Sequence, residues 1–224
     1  MKRLVLASAS PRRRSLIRLL GLPWLLDQAE VSERFDCTAS SLYAIAETLA
    51  LKKARAVAAR HADALILGAD TIVILDETPY GKPSSTDSAR RMLQALRGKV
   101  HEVITGVAFA DTESRMTRVT SEKTVVTMRN YTEEEIDSYL ASGDPMDKAG
   151  SYAIQNELFH PTERIAGCFT NVIGLPLCAV EQGLAEYSIR SKLSAGWKDQ
   201  SQSLGKSRRS CVNCVALNLK LQVS

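Results

Sequence analysis

Three arginines, Arg12, Arg13 and Arg14, follow Ser8, Ser10 and Pro11 where a short apolar run, residues 4–7, gives way to an amphipathic stretch. A strand that turns into a helix in this way leaves the first helical N–H groups without internal partners, and the aligned peptide dipoles place partial positive charge there. Ser8 and Ser10 can add hydroxyl donors. Pro11 suits the first helical position, and Arg12 and Arg13 carry planar, permanently charged forks matched to phosphate oxygens. That is the chemistry of an anion site. The same letters also spell an ordinary helix cap, so this stretch alone leaves both readings open.

Carboxylates and ammonium groups further along extend the pattern. Glu33 follows an extended segment, and Asp70 interrupts the apolar run ALILGADTIVIL at residues 64–75, where a carboxylate buried without partners costs several kcal/mol. Such an acid needs a metal, a cation or a water. Lys53, in an alanine-rich stretch, and Lys82, between Gly81 and Pro83, offer compact positive charge to phosphate oxygens. Asp147-Lys148-Ala149-Gly150 adds an acid and a base beside Tyr152 and Gln155. Each has a plain reading as a turn or a solvated side chain, and only their combination suggests a polyphosphate handled with a divalent ion. His61, His101 and His160 lack metal-ligand spacing, and no nucleophile elbow, Walker loop or GxGxxG motif is present. Phosphoryl chemistry with carboxylate-held Mg²⁺, cationic clamps and an oriented water fits better than attack by Ser or Cys.

The elements that must position these residues follow from periodicity and punctuation. Residues 4–7 read as a buried strand and 12–20 as a helix ended by Gly21; 42–59 read as a long helix. Residues 64–75 read as two strand segments broken at Gly68-Ala69-Asp70-Thr71. A helix over 87–96 is capped by Ser84, Ser85 or Thr86 and closed by Gly98. Residues 100–110 and 116–128 suggest an antiparallel pair. Thr132 and Glu135 form a capping box for a helix over 133–140. A Gly/Pro/Asp loop covers 142–150, residues 152–154 look strand-like, and 171–177 lead into a last helix ending near Tyr187.

Length and composition bound the class. The 224 residues, 45% hydrophobic, can bury a substantial core as one domain or two small lobes, and no run approaches a membrane span. The formal net charge of +4 comes from the end of the chain. Residues 189–224 hold seven Lys/Arg and one acid, leaving 22 basic and 24 acidic residues in a slightly acidic body. A nucleic-acid partner is therefore not expected of the body. The five cysteines are too scattered for a disulfide framework, and Cys211 and Cys214 lack a second ligand pair for zinc. The expectation is a cytoplasmic protein with a folded body over 1–188 and a basic, Ser-rich, flexible extension over 189–224.

LASASPRRR, Lys53-Ala54-Arg55, GADT at 68–71, Gly81-Lys82-Pro83, DKAGSYAIQ at 147–155 and VIGLPL at 172–177 occur in the order that marks the Maf family, and the chain resembles that family over about residues 3–187. The resemblance implies an α/β fold similar to inosine triphosphate pyrophosphatases: a long, mixed, twisted sheet with flanking helices and two lobes around a central cleft. It also implies hydrolysis of a nucleoside triphosphate to the monophosphate and pyrophosphate with a divalent cation, Mg²⁺, Mn²⁺ or Co²⁺. Asp70 matches the family's proton acceptor and, with Glu33, its metal-side acids. Ser8, Arg12, Arg13, Lys53 and Lys82 match substrate-binding positions. Arg12, Thr71 and Gln155 resemble the branch that prefers dTTP and UTP over the branch acting on 7-methyl-GTP. A Gln amide offers the donor and acceptor that a pyrimidine imide edge requires. The resemblance allows a homodimer, and a slow, nucleotide-binding regulator of septum formation is the alternative reading. Position 156, often glycine in the family, is Asn here, which puts the backbone approach to the base in doubt.

Overall fold

The computed structural model describes residues 2–32 and 41–193. Strand β1 (Arg3–Ala7) leads through Ser8 and Ser10 into helix α1 (Pro11–Arg18), as the sequence predicts. A short strand β2 (Trp24–Asp27) follows, and helix α2 (Leu42–Ala58) is capped by Ser41, whose side chain accepts from the Ala44 N–H. Next come β3 (Ala64–Leu75), β4 (Thr78–Tyr80), α3 (Thr86–Leu96), β5 (Val100–Asp111) and β6 (Thr117–Met128). Ser85 caps α3, and Thr132 and Glu135 make the expected capping box of α4 (Glu133–Ala141). Two 3₁₀ turns, Asp144–Asp147 and Ala149–Ser151, precede β7 (Thr162–Ala166), α5 (Phe169–Ile173) and α6 (Leu177–Glu186).

The strands form one seven-stranded mixed sheet in the order β2-β1-β3-β5-β6-β7, with β4 also on β3. β1 runs parallel to both β2 and β3, and the remaining pairs are antiparallel. Two expectations are corrected. Residues 64–75 are one unbroken strand, because every residue from Leu65 to Ile74 keeps its register with β5, Asp70 lying opposite Gly106. The interruption is in the other edge: β1 pairs β3 only as far as Leu67, and β4 begins at Val73, so residues 68–72 have a strand partner on one side only. Residues 152–154 are not a strand, whereas 162–166 are.

Alternation sends successive β3 side chains to opposite faces. Ile66, Ile72 and Ile74 pack under α2 with Ala46, Leu49, Ala50 and Ala54. α2 sits almost on the backbone, since a Cβ at Gly68 would lie 2.3 Å from the Ala50 carbonyl oxygen and one at Gly106 would lie 2.3 Å from that of Ala46. Only glycine permits that approach. On the other face two apolar clusters form the expected lobes. One joins Leu6, Leu67 and Phe109 to Leu16 of α1 and Val180 of α6; the other joins Val73, Val103 and Val126 to Leu93 of α3 and Ile136 of α4. Packed chain continues past 188: Ile189 is buried in the first cluster, and the Lys192 N–H donates to the Leu20 carbonyl. No helix among the described residues is long and apolar enough to cross a membrane.

Candidate active site

The unpaired edge of β3 opens onto a cleft of about 510 Å³. Because the sheet is open there, groups from both of its faces reach one space. Asp70 points to the α2 side and Thr71 to the other, yet both line the cleft, together with Ser8, Arg12, Arg13, Lys53, Lys82 and Gln155. The structure thus brings together every predicted site residue that it describes. Glu33 lies outside the described residues.

Asp70 is 6% exposed, and Lys53 reaches it from α2 with Nζ 2.5 Å from Oδ1. The register of α2 on Gly68 and Gly106 fixes this contact, since Lys53 adjoins Ala54, whose N–H and methyl group lie against Gly68. Among the described residues, Lys53 is the hydrogen-bond partner of the Asp70 side chain, and Oδ2 accepts no bond. A buried ion pair that also borders a cleft leaves one carboxylate oxygen able to take a water or a cation.

The α1 end of the cleft is organised by its serines. The Ser10 hydroxyl accepts from the Arg13 N–H, closing the cap. Ser8 Oγ accepts from the Ser10 N–H and from Arg13 Nη1, so its own proton is left to donate into the cleft. Arg13 itself is 9% exposed and spends its fork within the protein, donating from Nε to the Gly174 carbonyl at 2.7 Å and from Nη2 to Thr71 Oγ1 at 3.1 Å. Thr71 Oγ1 also meets Thr105 Oγ1 at 2.9 Å. Arg12 is more exposed and forms a paired contact with Asp147, Nη1 to Oδ2 at 2.8 Å and Nη2 to the backbone carbonyl at 3.1 Å. Burial opposes ionisation of Asp147, but the bond from Lys148 and the Arg12 charge outweigh it and hold that carboxyl below its ordinary range. Lys82 enters from the end of β4.

Sequence reasoning left three participants unassigned. Thr105 carries no local signal, since it lies in an ordinary β-rich strand. Lys148 lines the cleft but is only 6% exposed, and the acids four and one residues before it are the signal for its true role, a strut. His101 lies buried behind the cleft wall with Nε2 2.8 Å from the Tyr152 hydroxyl, and burial lowers its pKa to about 4. Asn156 adopts no left-handed backbone, so glycine's freedom is not required at that position.

Fold and cleft together define a mixed α/β protein whose cleft is lined by several cations and one buried carboxylate, a lining suited to an anionic ligand. The chain matches the model of the family described as Maf-like protein over residues 3–187. It is similar to the dTTP/UTP pyrophosphatase of Moorella thermoacetica, 45% identical over 195 residues that cover 84% of this chain and 97% of that protein. A dTTP/UTP pyrophosphatase of Bacillus cereus strain G9842 is 44% identical over 189 residues, with the same shares covered. The chain belongs to the Maf family.

Proposed function

We propose dTTP and UTP as the substrates of this nucleoside triphosphate pyrophosphatase, cleaved to the monophosphate and pyrophosphate. The observation that carries the reading is the Lys53–Asp70 pair opening onto the same cleft as Arg12, Lys82, Thr71 and Gln155, and the similarity to relatives with that printed activity supports it.

Asp70 orients a water against the α-phosphorus and takes its proton as the bond to the pyrophosphate oxygen breaks. Lys53 holds Asp70 in place and faces the developing charge. Arg12 and Lys82 meet the phosphate oxygens of the leaving pyrophosphate, and Arg13 acts at one remove by fixing Ser8 and Thr71. Gln155 presents its amide to the base, where the paired donor and acceptor match the imide edge of thymine or uracil. Among the described residues no group of three or more His, Cys, Asp or Glu could cage a metal. The Asp70 carboxylate oxygen that accepts no bond fits an ion such as Mg²⁺, which binds through one or two carboxylates and the substrate's phosphates. Asp70 and Glu33 would hold it, and it would supply charge neutralisation at the phosphate oxygens.

Pyrophosphate release is to be measured with dTTP, UTP, CTP and 7-methyl-GTP in Mg²⁺, Mn²⁺ and Co²⁺. The two uracil-type bases should be turned over best, and a clear preference for the methylated purine would refute the substrate assignment. Asp70→Asn should lose about 10²–10⁴-fold in turnover with an unchanged circular dichroism spectrum; near-normal turnover would refute its role.

A further inference from the structure

A hydrogen-bonded chain runs behind the cleft from the base-side loop to the phosphate-side arginine, and Asp144, which does not line the cleft, is its hub. Asp144 Oδ2 accepts from the Tyr139 hydroxyl at 2.8 Å and from Asn156 Nδ2 at 3.2 Å. Tyr139 Oη in turn accepts from the Ala153 N–H at 2.9 Å. Gln155 therefore lies between two anchored neighbours, Ala153 and Asn156, that lead to one carboxylate. Asn156 also accepts from the Phe159 N–H through Oδ1 at 2.8 Å, which fixes the far side of the same loop.

The other carboxylate oxygen carries the chain toward the phosphates. Lys148 Nζ donates to Asp144 Oδ1 at 2.8 Å, to the Asp144 backbone carbonyl at 2.5 Å and to Asp147 Oδ1 at 2.6 Å, which uses all three of its protons. Asp147 then takes Arg12 through its other oxygen and its carbonyl. Lys148 is thus a strut between two acids and has no proton left for a phosphate. Burial, then the contact with Asp144, pushes the Tyr139 phenol up, so Tyr139 remains an O–H donor across the whole neutral range.

We propose that Asp144 is a positioning residue that holds the base-reading segment 153–156 and the phosphate-side Arg12 in one frame. It does so through Tyr139 and Asn156 on one oxygen and Lys148–Asp147 on the other. The inference rests on the proposed role of Gln155 in reading the base. Its consequence is that discrimination among bases depends on residues remote from the base.

Asp144→Asn and Tyr139→Phe test it, with Asn156→Ala as a milder variant should either of the first two fold poorly. Asp144→Asn keeps the shape but cannot accept at both oxygens, and Tyr139→Phe deletes the acceptor of the Ala153 N–H. Two readouts are independent. In the nucleotide-free protein, amide hydrogen exchange at Ala153 should accelerate about tenfold in both variants while β3 and β5 amides stay unchanged. In turnover, the ratio of kcat/KM for UTP to that for CTP should fall about tenfold in both variants, chiefly through KM for UTP, while kcat should fall for both nucleotides in Asp144→Asn alone, because Tyr139→Phe leaves the Lys148–Asp147–Arg12 arm intact. The double variant should be no worse than Asp144→Asn, because both cuts fall on one chain. Unchanged Ala153 exchange, or a preserved UTP-to-CTP ratio in both variants, would overturn the inference. A wild-type protein that shows no preference for UTP over CTP sinks the substrate reading instead, and the exchange measurement still decides whether Asp144 anchors the loop.

Discussion

Gly68→Ala should damage stability and turnover together, through one displacement. The new Cβ would lie 2.3 Å from the Ala50 carbonyl oxygen and 2.9 Å from the Ala54 nitrogen, roughly 1 Å short of ordinary contact. Both obstacles are backbone atoms of α2, so no rotamer change relieves them and the helix must lift off β3. Overpacking of this kind costs about 1–3 kcal/mol, only partly offset by the lower unfolded-state entropy of alanine at about 0.4–1 kcal/mol. The net, about 0.5–2.5 kcal/mol, is for a chain of this size a fall in Tm of roughly 1–10 °C. Lys53 rides on the same turn of α2, so the 2.5 Å contact with Asp70 lengthens by a similar distance. A misplacement of about 1 Å at a reacting group costs on the order of 10²-fold in rate. Scanning calorimetry and pyrophosphate release under saturating UTP measure the two effects. Trimming the helix in the double variant Gly68→Ala/Ala54→Gly should restore neither, because the nearest obstacle is the carbonyl of Ala50. A Gly68→Ala protein with wild-type Tm and wild-type turnover would refute the argument that close helix seating sets the acid–base pair.

Two further outcomes follow from buried groups. Arg13→Lys keeps the charge but loses the fork shared among Gly174, Ser8 and Thr71; it should destabilise by about 2 kcal/mol, read as a lower urea midpoint with an unchanged slope. His101, held neutral by burial with a pKa of about 4 against 6.5 for a free imidazole, takes up its proton more readily in the unfolded chain. Its contribution to stability is therefore full above about pH 6.5 and is lost as pH falls, reaching about 3 kcal/mol of destabilisation near pH 4. His101→Phe should flatten that part of the pH dependence of the urea midpoint, and an equally steep fall in the variant would show that other groups cause it.

Much of the framework was legible because it is local. The Ser-Pro turn, the Ser85 and Thr132 caps and the apolar runs at 64–75 and 100–110 depend on residues within a few positions of each other, which is the range over which capping and periodicity act. The short strands β2, β4 and β7 were not legible. Each is three to five residues long and holds its place by pairing with a neighbouring strand, a contribution that does not exist in the isolated segment. Asp70 was readable as an anomaly, a charge in an apolar run, but the anomaly was misread as a break in the backbone. A carboxylate can interrupt an apolar run without bending it when the adjacent strand stops short, and that is a property of β1 and β4.

The sequence by itself determined the inventory: an arginine-rich helix start, an acid that needs a partner, one lysine on a helix and one in a turn, and a glutamine able to read an imide. It also determined the family, through the order of six blocks. Only the tertiary structure decided who partners whom. Lys53 and Asp70 are 17 residues apart, Arg12 and Asp147 are 135 apart, and Arg13 and Gly174 are 161 apart. It assigned Arg13 and Lys148, both cations beside the cleft, to bracing the protein's own carbonyls, hydroxyls and acids. The physical reason is that a charged fork goes to whichever acceptors the fold brings within about 3 Å. Strand register, helix seating and the gap beside residues 68–72 set those distances, and none of them is a property of the residue itself.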